Sequence, residues 1–169
     1  MNIIPWRLKD GTLVPSLPMD VYGFIYIIRY KNGKYYLGKK QVYKESKLTP
    51  LKNGNKRSNH LNYFFKGKGN KIEKVALQSN WKTYVGSSEL TPPIEDITNR
   101  TIIALSKNKQ TLTYLETKYL FSYDAIPSDK FYNVSIRPIQ VYANAMSGAY
   151  GLSTFKEALL CNNKGLQDD

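Results

Sequence analysis

Residues 22–40 hold two β-prone runs, Tyr22-Gly23-Phe24-Ile25-Tyr26-Ile27-Ile28-Arg29-Tyr30 and Tyr35-Tyr36-Leu37-Gly38-Lys39-Lys40, joined by Lys31-Asn32-Gly33-Lys34. Aromatic and β-branched residues on both sides of an Asn-Gly pair predict a β-hairpin. Side chains alternate across a strand, so the turn length decides which residues share a face. A two-residue Asn32-Gly33 turn pairs Tyr30 with Tyr35 and puts Tyr26 and Tyr36 on opposite faces. A three-residue loop, Lys31-Asn32-Gly33 with Gly33 left-handed, pairs Tyr30 with Lys34 and Ile28 with Tyr36. Tyr26, Ile28, Tyr36, Gly38 and Lys40 then share one face, and Ile25, Ile27, Tyr35 and Leu37 the other. The second register yields a continuous apolar face to pack on helices, so the three-residue loop is the expectation. It leaves the opposite face polar and aromatic.

The rest of the chain suggests a small α/β (α+β) domain. Residues 1–20, with Pro5, Pro15 and Pro18, read as an irregular N-terminal extension. Residues 44–69 are rich in Lys, Asn and Gly and read as a long basic loop, with at most a short helix around Arg57–Phe65. Asn70 and Glu73 form a capping-box pattern ahead of Ile72, Val75, Ala76 and Leu77, which predicts a helix from about Asn70 to Asn80. Arg100–Leu105 reads as a buried strand. Leu112, Leu115, Tyr119 and Tyr123 recur at helical spacing from about Lys109 to Tyr123. Phe131–Ile136 reads as a last strand, and a short helix is possible around Thr154–Leu160. The order β-β-α-β-α-β implies a mixed or antiparallel sheet of three to four strands flanked by helices. The domain proper is placed at 21–137, with a C-terminal tail at 138–169.

The charge narrows the partners. Lys and Arg number 25 against 13 Asp and Glu, a net +12, and the basic residues concentrate between Lys31 and Lys82 among 14 tyrosines and six phenylalanines. Cations release counterions when they neutralise phosphates, and aromatic rings stack on bases, so nucleic acid fits this mixture better than a membrane. No apolar run approaches the roughly 20 residues of a membrane span. The N-terminus lacks a signal-peptide pattern, and the one cysteine, Cys161, suits a reducing cytoplasm. There is no Cys/His cluster for zinc, and Gly67-Lys68-Gly69 lacks the spacing of a P-loop.

Four features from Tyr22 to Ile136 together resemble the GIY-YIG nuclease family. Phe24-Ile25-Tyr26 stands for the first motif and Tyr36-Leu37-Gly38 for the second. Leu112–Lys118 is a helix segment carrying Glu116, and Phe131-Tyr132-Asn133 follows it. Trp81–Ser88 and Tyr36–Gln41 are similar to segments of bacteriophage members, including free-standing homing-type endonucleases. The resemblance implies that Glu116 holds a single Mg²⁺ (or Mn²⁺), and that Tyr26 and Tyr36 orient or deprotonate the attacking water. It also implies that Asn133 positions Glu116 or contacts the DNA backbone. Taken alone, Glu116 reads as a solvated helix residue and Asn133 as a turn residue. A tyrosine pKa near 10 is high for a base, so a neighbouring cation is expected to lower it, and Lys40 shares the face.

The family's arginine is missing from the positions after Gly38. Either Lys40 supplies that charge, or the basic loop delivers Arg57 with His60 beside it. Lys39, Lys82, Ser87, Ser88 and Arg100 are the expected DNA contacts, with Arg100 alternatively structural. The resemblance implies a metal-dependent endonuclease acting on double-stranded DNA, as a monomer or homodimer, in the host cytoplasm if phage-encoded. The alternatives are a restriction-type enzyme and a binding module that keeps the fold without cleaving.

Overall fold

A computed structural model describes residues 3–48, 63–65, 73–135, 149–152 and 155–156. The elements are β1 (Trp6–Leu8), β2 (Gly23–Tyr30), β3 (Tyr35–Gln41), β4 (Tyr43–Leu48), β5 (Tyr63–Phe65), β6 (Glu73–Gln78), β7 (Ile97–Ser106), α1 (Lys109–Ser122) and β8 (Ala149–Tyr150). The main sheet runs β1-β7-β2-β3, and β8 joins β7 beyond β1. It is mixed: β1 lies parallel to β7, whereas β2 is antiparallel to both β3 and β7. The α+β reading therefore holds.

The hairpin has the three-residue loop. Tyr30 N–H donates to the Lys34 carbonyl at 2.9 Å, and Gly33 N–H to the Tyr30 carbonyl at 3.0 Å. Gly33 has φ +80°, where a side chain is strained. Ile28 pairs with Tyr36, Tyr26 with Gly38 and Phe24 with Lys40, the face assignment read from the sequence.

The face carrying Tyr26 is not open. Phe24, Tyr26, Ile28 and Tyr30 are buried with Trp6, Trp81, Ile102, Leu105 and Phe155. Trp6 arrives on β1, in the segment expected to be irregular, and its indole N–H donates to the Trp81 carbonyl at 2.8 Å. The other face packs under α1, where Ile25 and Leu37 meet Leu112, Leu115 and Leu120. A register shift between Ile25 and Tyr26 lets β7 turn Ile103 and Ala104 successively toward α1. Hydrophobic cores thus cover both sides of the sheet, and β3 is left as its functional edge.

Three expectations are corrected. Residues 73–78 form β6 rather than a helix, because β4 and β5 pair with its two sides. Val75 and Leu77 also alternate in the sequence at strand spacing, and two ladders of interstrand hydrogen bonds outweigh a local capping pattern; Asn70 lies outside the described residues. The expected loop 44–69 contributes β4 and β5 to this second, three-stranded sheet. Phe131 makes only an isolated bridge to Tyr35 and residues 132–135 are irregular, so no strand forms there; Ile136 lies outside the described residues. Only residues 155–156 of the helix expected around Thr154–Leu160 are described.

The strand at 97–106 and the helix are close to expectation. Asn108 caps α1 by accepting from the Thr111 N–H at 2.8 Å. The helix ends in a left-handed Asp124 at φ 47°, with Ala125 N–H returning to the Leu120 carbonyl at 2.9 Å. Among the described residues no helix is long and apolar enough to cross a membrane.

Candidate active site

A cleft of about 430 Å³ opens along the outer edge of β3. Tyr36, with the buried Tyr26 behind it on β2, lines it from one face of the sheet, Glu116 from α1 on the other, and Asn133 from the segment alongside. The edge position makes this possible: only there can side chains from opposite faces of a sheet meet around the end of one strand.

The tyrosines are set by the hairpin and by glycine. Their ring centroids lie 6.2 Å apart. A Cβ on Gly38 would sit 2.5 Å from the Tyr26 hydroxyl and 3.3 Å from the Tyr36 ring, so only hydrogen fits. Gly86, at φ +106°, also lies against the Tyr36 ring, where a Cβ would be 3.4 Å away. Tyr84 packs on Tyr26 at 6.0 Å. Tyr84 thus stands beside the Tyr26–Tyr36 pair, and Ser87 lines the same cleft.

This environment raises the tyrosine pKa values. Burial pushes Tyr26, 1% exposed, well above the ordinary 10, and the adjacent Tyr84 and Tyr36 add to the effect. Burial also raises Tyr36, opposed by the hydrogen bonds from Ser87 and Tyr26. The expected lowering by a cation is absent: Lys40 sends its ammonium to Asn80 Oδ1 at 2.8 Å and over the Tyr84 ring at 3.7 Å, and burial lowers its own pKa. Near neutral pH both phenols are hydrogen-bond donors rather than phenolates.

Glu116 has one carboxylate oxygen, Oε2, 2.9 Å from the Lys39 ammonium, and its side chain is 26% exposed to the cleft. Lys39 also donates to Thr113 Oγ1 at 3.1 Å. Among the described residues no group of three His, Cys, Asp or Glu side chains is placed to hold a metal. A single open carboxylate fits a hard ion such as Mg²⁺, which keeps several waters and takes further oxygens from a phosphate. The Glu116 carboxylate is of that kind, and its present partner is the Lys39 ammonium.

Asn133 does something other than positioning Glu116. Its amide oxygen accepts from Leu37 N–H at 3.0 Å and its NH₂ donates to the Leu37 carbonyl at 2.8 Å. Tyr132 N–H donates to the Tyr35 carbonyl at 2.8 Å, so residues 130–133 strap the edge of β3 and the Asn133 amide imitates one more peptide unit.

Of the expected DNA contacts, Ser87, Ser88 and Lys39 line the cleft. Lys82 lies elsewhere, with its ammonium 5.7 Å from the Trp81 ring centroid. Arg100 is no phosphate ligand. It is 1% exposed, and its guanidinium donates to the carbonyls of Ile4, Tyr84 and Lys82. It sits on β7 beneath the segment that carries Trp81 and Tyr84, so its fork ties that segment to the sheet. Arg57 and His60 lie outside the described residues.

The sequence reading missed Tyr84, Thr113 and Tyr132. Tyr84 falls within the Trp81–Ser88 segment it had singled out, but nothing local marks it as the partner of Tyr26. Tyr132 is held by Asn32 Nδ2 at 2.5 Å, a contact 100 positions apart in the chain.

A family model described as "Putative endonuclease segE, GIY-YIG domain" matches residues 6–136, from β1 through the Asn133 strap. No curated protein and no solved structure gives a significant match. A match over more than half of the chain, on a fold whose cleft gathers both motif tyrosines and the helix glutamate, carries one conclusion: the chain belongs to the GIY-YIG nuclease family, and its substrate is nucleic acid.

Proposed function

We propose that the protein is a metal-dependent endonuclease that hydrolyses phosphodiester bonds of double-stranded DNA, a phage-type enzyme of homing-like or DNA-degrading character working in the host cytoplasm. The carrying observation is that the Tyr36 side chain and the Glu116 carboxylate, from opposite sides of the sheet, line one cleft. A Mg²⁺ ion held by Glu116 would neutralise the scissile phosphate and the leaving oxygen.

The protein's own groups supply the rest. As a neutral phenol, Tyr36 donates its hydroxyl hydrogen to a phosphate oxygen and so orients the phosphate for in-line attack, while the proton given up by the attacking water passes to bulk solvent. Tyr26 is too buried to meet the water itself; packed between the Tyr36 and Tyr84 rings, it fixes the position of Tyr36. Ser87 and Ser88 offer hydroxyls to the phosphate backbone. Asn133 keeps the strand edge straight beside them. The basic residues of 44–69 supply non-specific grip on the duplex.

The test incubates supercoiled plasmid with the protein, in Mg²⁺ or EDTA, beside Glu116→Ala. Cleavage that needs both the metal and Glu116 is the expected result. The Lys39–Glu116 ion pair favours one rival, a binding module in which the carboxylate is occupied permanently. Salt-sensitive binding without cleavage, unchanged in Glu116→Ala, would establish that rival.

A further inference from the structure

We propose that Lys39 is the internal counter-ion of the metal site. It neutralises Glu116 when the divalent ion is absent, is displaced when the ion binds, and then turns to the phosphate of the bound nucleic acid. This rests on Glu116 as the metal ligand.

The geometry is specific. Lys39 follows Gly38 on the edge strand β3 and reaches across to α1, where its ammonium meets Glu116 Oε2 at 2.9 Å and Thr113 Oγ1 at 3.1 Å. Thr113 and Glu116 are three residues apart on one helix face. The Thr113 hydroxyl donates its own hydrogen to the Lys109 carbonyl at 3.1 Å, so its lone pairs are free to receive the ammonium. Both side chains of the pair are about one-third exposed or less, at 35% and 26%. The ammonium is therefore held by two acceptors on the element that carries the metal ligand, in a partly dehydrated place.

Two cations cannot share the Oε2 oxygen, because their repulsion at contact distance is large in a site of reduced dielectric. A divalent ion using that oxygen must displace Lys39. The displaced ammonium sits on a flexible stem and still lines the cleft, and it is the only Lys or Arg side chain to do so among the described residues. An arriving phosphate offers it a new partner. Metal and nucleic acid binding are then coupled through one lysine, and the coupling is reciprocal.

The experiment measures Mn²⁺ binding by the full chain without DNA, using the electron paramagnetic resonance of free Mn²⁺. It compares the natural sequence, Lys39→Met, Thr113→Val and Glu116→Gln, each checked for cooperative unfolding. Lys39→Met should bind Mn²⁺ about five- to tenfold more tightly, since an ion pair of this exposure and a direct repulsion are both removed. Thr113→Val should tighten binding about twofold by loosening the ammonium; it is the readout should Lys39→Met fail to fold. Adding a non-cleavable phosphorothioate duplex should tighten Mn²⁺ binding in the natural protein, and less so in Lys39→Met. Affinity unchanged or weakened in both variants, with Glu116→Gln abolishing binding, overturns the counter-ion role alone. Mn²⁺ binding indifferent to Glu116→Gln overturns the metal reading and the counter-ion role with it.

Discussion

Arg100→Met removes a charge that no carboxylate neutralises among the described contacts of Arg100. The guanidinium bonds the Ile4 carbonyl through Nε at 2.5 Å, the Tyr84 carbonyl through Nη1 at 2.8 Å and the Lys82 carbonyl through Nη2 at 3.1 Å. It also lies over the Trp6 indole, 4.4 Å from the ring centroid. Burial pulls its pKa down to about 10, so it stays protonated at pH 7. Each carbonyl stripped of its donor costs about 1–3 kcal/mol unless water replaces it. Relief from holding a dehydrated cation offsets part of the sum, and methionine keeps much of the stem's packing. The net expectation is a loss of about 3 kcal/mol, a large share of the roughly 5–15 kcal/mol that holds a domain together. For a chain of this size the midpoint of thermal unfolding should fall by about 6–12 °C.

Urea titration read by tryptophan fluorescence suits the question. The two tryptophans are Trp6, under the guanidinium, and Trp81, at the start of the tethered segment. Arg100→Lys should recover only part of the loss, because one ammonium cannot fork to three carbonyls. A loss below about 0.5 kcal/mol in Arg100→Met, with an unshifted native emission spectrum, would refute the view that charge-assisted bonds to Ile4, Lys82 and Tyr84 hold the N-terminal and 82–84 segments to β7, since their removal is expected to cost several times that.

Gly38→Ala should lose about 1–3 kcal/mol and most cleavage activity, because the new methyl meets the Tyr26 hydroxyl at 2.5 Å and must push it from Tyr36; urea unfolding and plasmid nicking read the two effects. Asn133→Leu strips both Leu37 main-chain groups of their partner, so amide exchange at Leu37 should speed up and stability drop by about 1–3 kcal/mol. Tyr36→Phe tests the donor role. The raised pKa keeps the phenol protonated up to and beyond pH 9, so the natural protein's cleavage rate should carry no ascending limb from this group between pH 7 and 9. A tenfold rise per pH unit in that window, lost in Tyr36→Phe, would mean that a phenolate is the working form.

The features legible in the sequence are those decided by neighbours along the chain. The Lys31-Asn32-Gly33 turn sets the hairpin register through local backbone geometry, and with it the shared face of Tyr26, Tyr36 and Gly38. The Leu112, Leu115 spacing and the ends of α1 follow from helix periodicity and the side chain of Asn108. Residues 73–78 misled because their capping pattern is local while their pairing with β4 and β5 is not. Gly38 was recognisable as part of a motif, but its reason, the Tyr26 hydroxyl above it, needed the packed ring.

The sequence by itself thus determined which residues form the hairpin and helix, which tyrosines share a face, and that a polyanion is the partner. Tertiary structure alone decided the depth and pairing of the site. Tyr26 is buried because β1 and the Trp81 segment, far apart in the chain, close over it. Arg100 became a clamp because three separate carbonyls converge on it. Lys39 rather than Lys40 meets Glu116 because successive side chains on β3 point to opposite faces, and α1 covers only one of them.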